Sequence, residues 1–331
     1  MITALLLLGL MTRTLDIYFI DVEGGAATLI VTPAGESLLV DTGWPRDDER
    51  DAKRIASVAK EAGLKQIDYL ITTHYHRDHW GGVAALSKLI PVKTYFDHGR
   101  MQELQDDPQN FPRLNAAYLQ ASGGSAKTLR PRDAIPLRRA GGAADIRLRI
   151  LSSNREVLRR PGADNPACQR SEPQADDPSD NARSVGFLLS FGRFQFLDLG
   201  DLTWNIEQQL VCPTNSIGKV SLYQVTHHGA ANSNPPVLIE SVAPLAAVMN
   251  NGPRKGGTAD VVKRLTGIPL FQVHQNLATT YMDNAPADHI ANLGTEDGCA
   301  GNYIKATVAA DGDSFIVTNT RNKLTERFTV K

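Results

Sequence analysis

The segment Thr73-His74-Tyr75-His76-Arg77-Asp78-His79 sets four metal-capable side chains, His74, His76, Asp78 and His79, within six positions. Imidazole nitrogen and carboxylate oxygen together suit a borderline divalent ion, zinc first, with manganese and iron as alternatives. A chain that leaves a strand extended points residues two apart to one face, so His74 and His76 can clamp one ion. Where the chain then turns into a helix, Asp78 and His79 are redirected and can face a second ion. Gly81 and Gly82 follow at once and permit close backbone approach at that junction. A loop of solvated histidines is the bland alternative, but three histidines and an aspartate in this register go beyond it.

Such a motif needs a buried strand before it and a helix after it. IDYLITTH (67–74) is an apolar run leading into the motif, WGGVAALSKLI (80–90) reads as a helix, and VKTYFDHG (92–99) as the next strand. Upstream, LDIYFIDV (15–22) and ATLIVTP (27–33) are strand-like and joined through Gly24-Gly25. SLLVDTG ends in Asp41-Thr42-Gly43, and the charged segment 47–63 carries Ile55, Val58 and Ala59 at helical spacing with Gly63 as its stop. Residues 155–182 break the pattern: rich in Pro, Asp, Asn and Ser, they read as one long loop. Regular structure resumes with SVGFLLSFG and RFQFLDLGD, a hairpin turning at Gly192. A helix (204–211), a strand (219–229), a helix (235–244), a strand (245–252), a helix (258–267) and a strand (269–273) follow. Two late strands flank the turn at Asp311-Gly312. Alternation of strand and helix predicts an α/β (α+β) chain with one domain over 14–331.

Lys+Arg 35 against Asp+Glu 36 in 331 residues leaves no overall field to hold nucleic acid or an anionic membrane strongly, though a nuclease that meets its substrate locally remains compatible. The apolar run from Ile2 to Met11 is too short to span a bilayer, which takes about 20 residues. Its length suits a signal-peptide core, so residues 1–13 are read as a truncated or mis-started signal peptide, with an apolar tail or first strand as the alternative. The first reading puts the protein in the periplasm or outside the cell, the second in the cytoplasm. Cys168, Cys212 and Cys299 show no C-x-x-C spacing. In an exported chain Cys168 with Cys299 is the favoured disulfide, and three unpaired thiols are the alternative.

His74-Tyr75-His76-Arg77-Asp78-His79 with Trp80-Gly81-Gly82 resembles the H-x-H-x-D-H signature of the metallo-β-lactamase superfamily. Asp41-Thr42-Gly43 is similar to the strand end where that family has a structural Asp beneath the metal loop. Leu199-Gly200-Asp201 matches the place of its metal-bridging Asp, and Thr226-His227-His228-Gly229 that of its last metal-binding His. The resemblance implies an αββα four-layer sandwich with two zinc ions at one edge. His74 and His76 would hold the first ion, Asp78, His79 and His227 the second, with Asp201 bridging. Many members supply a third His to the first ion; here Ser179-Asp180-Asn181-Ala182-Arg183-Ser184 stands in its place, a pattern similar to the DNA-uptake (competence-type) branch. Asp180, Asn181 or a water would complete that site, with His98 as a rival that otherwise supports the ligands from behind or faces substrate.

The resemblance further implies a metal-dependent hydrolase that attacks an ester-type bond with a metal-bound hydroxide, since coordination lowers the pKa of water from about 15.7 to near 7. Asp78 and Asp201 would take up the released proton. His228 would steady a leaving group or simply pack, and Arg254 and Lys255 would meet an anionic substrate. His274 and His289 are read as structural or surface residues. Likeness to the competence branch leans towards phosphodiesters, with lactones, carboxylic esters or thioesters as the alternative and a catalytically idle metal-binding protein as a further one. The expected partner is a small-molecule or phosphodiester substrate, without membrane insertion.

Overall fold

The computed structural model describes residues 14–280, 283–294 and 299–331, so the apolar stretch 1–13 lies outside the described residues. Alternation along the strands sorts side chains into layers. In β1 (Leu15–Phe19), Leu15, Ile17 and Phe19 face one way and Tyr18 the other. β2 (Thr28–Val31), β3 (Ser37–Val40), β4 (Ile67–Ile71), β5 (Val92–Asp97) and β6 (Lys127–Thr128) continue outwards from β1. A second set comprises β7 (Ala134–Ile135), β8 (Ile146–Ser153), β9 (Glu156–Val157), β10 (Gly186–Phe191), β11 (Phe194–Asp198), β12 (Leu222–Gln224), β13 (Ala246–Met249) and β14 (Leu270–Gln272). The chain then returns to the first set with β15 (Ile304–Val308), β16 (Ser314–Asn319) and β17 (Thr325–Thr329). Sheet one runs β17-β16-β15-β1-β2-β3-β4-β5-β6; sheet two runs β14-β13-β12-β11-β10-β8-β7, with β9 beside β8.

Three apolar layers hold the sheets and helices together. Ile17, Phe19, Leu38 and Val40 of sheet one meet Phe187, Leu189, Phe191 and Phe196 of sheet two in the central layer. The other face of sheet one packs on α1 (Arg50–Glu61), α3 (Val83–Leu89) and α4 (Phe111–Ala121) through Ile55, Val58, Leu86, Leu114 and Tyr118; the one-turn α2 (Arg77–Trp80) precedes α3. The outer face of sheet two packs on α5 (Trp204–Val211), α6 (Pro236–Val242) and α7 (Ala259–Arg264) through Ile206, Leu210, Leu238 and Val261. Helix, sheet, sheet, helix is the αββα sandwich that the sequence led us to expect. Among the described residues no helix is long and apolar enough to cross a membrane.

Two expectations need correction. The disulfide joins Cys168 to Cys212, not to Cys299. Asn165 explains the pairing: its N–H donates to the Pro213 carbonyl at 2.6 Å and its side-chain amide to the Val211 carbonyl at 2.9 Å, which zips the Cys168 turn onto the end of α5. Region 155–182 is also not wholly irregular; it holds β9 and 3-10 turns at Pro166–Arg170 and Asp180–Arg183.

Candidate metal centre

Strands β3, β4 and β5 run parallel, as do β11, β12 and β13, so their carboxyl ends gather at rims of the two sheets. Open α/β sheets present functional groups at such ends. Asp41 follows β3, the His74–His79 loop follows β4, His98 follows β5, Asp201 follows β11, the 226–229 turn follows β12 and Asn250 follows β13. The loop after β4 lies tight against β3 because Gly82 has no Cβ; one there would strike the Thr42 carbonyl, and one at Gly81 would strike Pro45. Thr42 N and Oγ1 both donate to the His79 carbonyl, at 2.6 and 3.1 Å.

Asp78, His79, Asp201 and His228 converge, each offering a ligand atom within 4.8 Å of the others, and all four are buried. His79 Nε2 lies 3.1 Å from Asp201 Oδ2, from Asp78 Oδ2 and from His228 Nε2. His228 Nε2 lies 3.2 Å from both carboxylates. The remote nitrogens are tied back. His79 Nδ1 donates to Asp41 Oδ2 at 2.7 Å, and Asp41 is itself fixed by Thr73 N at 2.8 Å and Thr73 Oγ1 at 2.7 Å. His228 Nδ1 donates to the Asn250 carbonyl at 3.2 Å. A hydrogen bond on one ring nitrogen leaves the lone pair on the other, the arrangement that prepares imidazole as a ligand.

The same logic extends to the first pair. His74 Nδ1 is engaged by Thr73 Oγ1 at 3.1 Å and Ser184 Oγ at 3.3 Å, while its Nε2 faces His76 Nδ1 at 3.0 Å. His76 Nε2 is held by Asp106 Oδ2 at 2.6 Å. Asp106 lies in the loop between β5 and α4, and nothing in the local sequence singled it out. His74 Nε2 is 3.9 Å from Asp201 Oδ2, so the pair abuts the four-residue cluster. Asp180 Oδ2 accepts from Tyr75 N at 2.7 Å and from His98 Nε2 at 3.1 Å, which makes His98 its partner. Asp180 Oδ1 and Asn181 Oδ1 are buried with no hydrogen-bond partner.

His227 and His228 stand differently from their sequence reading. Both adopt left-handed backbone, φ 54° and 52°, and that turn sends His228 into the cluster. His227 lies further out: its Nε2 is 3.6 Å from Asp201 Oδ2, and its Nδ1 rests on Ser233 Oγ at 3.2 Å. Lys255 forms an ion pair with Asp78 and lies over the Trp44 ring at 5.1 Å, whereas Arg254 is exposed.

Electrostatics follow from burial set against mutual pairing. Burial would raise Asp201, but His228, His79 and His227 outweigh it and hold the carboxyl well below its ordinary range. Lys255 and His79 do the same for Asp78. Burial would lower His79, yet Asp201, Asp78 and Asp41 raise it well above the usual imidazole value. His74 falls well below through burial, helped by His79 and His76. Burial pulls His227 down to about 4, so it is a neutral lone-pair donor at neutral pH. Two ionised carboxylates beside desolvated imidazoles are the donor set a divalent ion requires, and an ion entering there displaces the proton that the carboxylates otherwise hold on His79.

A two-sheet sandwich with metal-type donors gathered at its rim defines a class of αββα folds built around a metal centre. The chain belongs to the metallo-beta-lactamase superfamily, whose family model matches residues 20–225. It is 24% identical over 252 residues to Recombination protein 2 of Haemophilus influenzae, covering 76% of this chain and 26% of that protein. ComE operon protein 3 of Bacillus subtilis is likewise 24% identical over 252 residues, covering 72% of this chain and 28% of that protein. These relatives match the DNA-uptake branch that the motifs resemble, and the chain spans about a quarter of their length. Among solved structures, a putative metal-dependent hydrolase from Parabacteroides distasonis is similar with a TM-score of 0.42 and 14% identity, over 78% of this chain and 92% of that one.

Proposed function

We propose that the protein is a metal-dependent hydrolase of ester-type bonds, with phosphodiesters as its substrate class and two zinc ions as its cofactor. The carrying observation is that imidazoles at the rim have one nitrogen hydrogen-bonded away from the centre and the other turned in, beside Asp78 and Asp201. Asp78, His79, Asp201 and His228 would hold one ion. His74 and His76 would hold the other, with Asn181 or Asp180 as its further ligand and His227 beside Asp201. Bound ions there supply Lewis acidity and an activated water. Asp41 and Asp106 keep protons on the outer nitrogens of His79 and His76, Lys255 neutralises Asp78, and Asp201 would stay ionised as a ligand.

The lean towards phosphodiesters rests on the likeness to the competence branch and on two arginines beside the centre. A cavity of about 620 Å³ adjoins His76 through Asp106, and its charged lining is Arg100 and Arg183 with Glu103, Asp106 and Asp180. Its two guanidinium groups suit phosphate oxygens, which arginine binds in bidentate fashion. The name Recombination protein 2 agrees with a nucleic-acid substrate. The test pairs elemental analysis with a panel of bis-p-nitrophenyl phosphate, p-nitrophenyl acetate, lactones and nitrocefin. The expected result is two metal equivalents and preferential phosphodiester turnover, lost on chelation and restored by zinc. Equal turnover in stripped protein refutes the reading; preference for the acetate or lactones moves it to carboxylic esters, and bound metal without turnover leaves a metal-binding protein.

A further inference from the structure

We infer a second, independent zinc site built from Asp21, His274 and Cys299, away from the rim cluster. A ring nitrogen of His274, a carboxylate oxygen of Asp21 and the Cys299 sulfur all lie within 4.8 Å of one another. Asp21 and His274 are wholly buried. His274 Nδ1 lies 2.9 Å from the Gln275 carbonyl and donates to it, which leaves the lone pair on Nε2. That Nε2 is buried and has no hydrogen-bond partner. A desolvated acceptor without a donor costs folding free energy, and a cation placed against it removes the deficit.

The neighbouring groups are those a cation would use. Cys299 Sγ donates to Asp21 Oδ2 at 3.0 Å, so sulfur and carboxylate already point at each other. Arg54 fixes the backbone of both donors, its Nη1 on the Asp21 carbonyl at 3.0 Å and its Nη2 on the Cys299 carbonyl at 3.2 Å. Arg54 Nη1 also lies 3.6 Å from Asp21 Oδ2, which leaves Asp21 Oδ1, already accepting from Glu23 N, as the second oxygen. One sulfur, one imidazole nitrogen and one carboxylate oxygen select zinc over the hard cations, with a water in the fourth position. Entry of the ion displaces the thiol proton to solvent, and no oxidation or reduction is involved.

The role is structural. Asp21 follows β1 and Cys299 precedes β15, both in sheet one, whereas His274 follows β14 of sheet two. An ion on these three residues clips the two sheets together. The test titrates cobalt(II) into metal-free, full-length protein and follows thiolate-to-cobalt charge transfer in the near ultraviolet. No cysteine lies in the rim cluster, and Cys168 and Cys212 are bonded to each other, so a thiolate band reports on Cys299 alone. The band is expected to reach the amplitude of a single cobalt–thiolate bond once the rim sites are also filled, to persist in D201A and to vanish in C299S. H274A is expected to keep the thiol but weaken cobalt binding at least about tenfold. A folded wild-type protein that binds cobalt at the rim without a thiolate band overturns the proposal, as does a band indifferent to H274A.

Discussion

Asp106 is the residue whose contribution is easiest to isolate, because its carboxylate meets His76 at the imidazole nitrogen that faces away from His74. Asp106→Asn keeps the size but weakens the hold on that N–H. Loss of such a partner lowers metal affinity by about 10–100-fold. Zinc titration of the variant is expected to show one site weakened and the Asp78–His79–Asp201–His228 site unchanged; equal weakening of both would argue against separate pairs. Spacing in the sequence was enough to single out His74, His76, Asp78 and His79, since residues two apart share a face. It could not single out Asp106, which arrives from a loop 30 positions on. Nor could it order His227 and His228, because their places depend on two successive left-handed residues that spacing does not encode.

At the scale of elements, the loop after β9 is held by covalent and hydrogen-bonded ties together with Leu158 and Ala167, which pack in the outer layer of sheet two. The Cys168–Cys212 bond closes a loop of sequence separation 44. Chain-entropy arguments put the loss on removing such a link at about 2–4 kcal/mol. Urea unfolding of Cys168→Ser is expected to show a lower midpoint than wild type, and added reductant should shift wild type but not the variant. Most strands were legible as apolar runs, as in β10, which is covered on both faces: Phe187, Leu189 and Phe191 face the central layer and Leu188 the outer one. β17 was not: at Thr325–Thr329 only alternate residues are even partly covered, and its polar composition hides an edge strand. β6, β7 and β9 are two residues each, too short to carry a period.

For the molecule as a whole, pH acts through a buried carboxyl that lies behind the 226–229 turn. Glu207 on α5 is buried, and burial pushes its carboxyl up to about 8, against the pull of Thr226, the Asn234 N–H and Arg264. Its folded pKa exceeds its unfolded one, so between about pH 4.5 and 8 the native state binds the extra proton and stability falls as pH rises. Glu207→Gln retains an acceptor for the Asn234 N–H, which Glu207 Oε2 now binds at 2.6 Å. Thermal melts of metal-free protein across that range are expected to slope downwards in wild type and less so in the variant; parallel slopes would exclude Glu207 as the cause.

Asp78 and His79 hang from the end of one sheet, Asp201 and His228 from the end of the other. Any ion gripped by all four therefore bridges a seam that is otherwise closed mainly by greasy side chains, with the buried Thr28–Gln224 hydrogen bond among its few polar ties. A tug on either half, from substrate or from the longer chains in which such a unit is found, would be felt as a change in the grip itself.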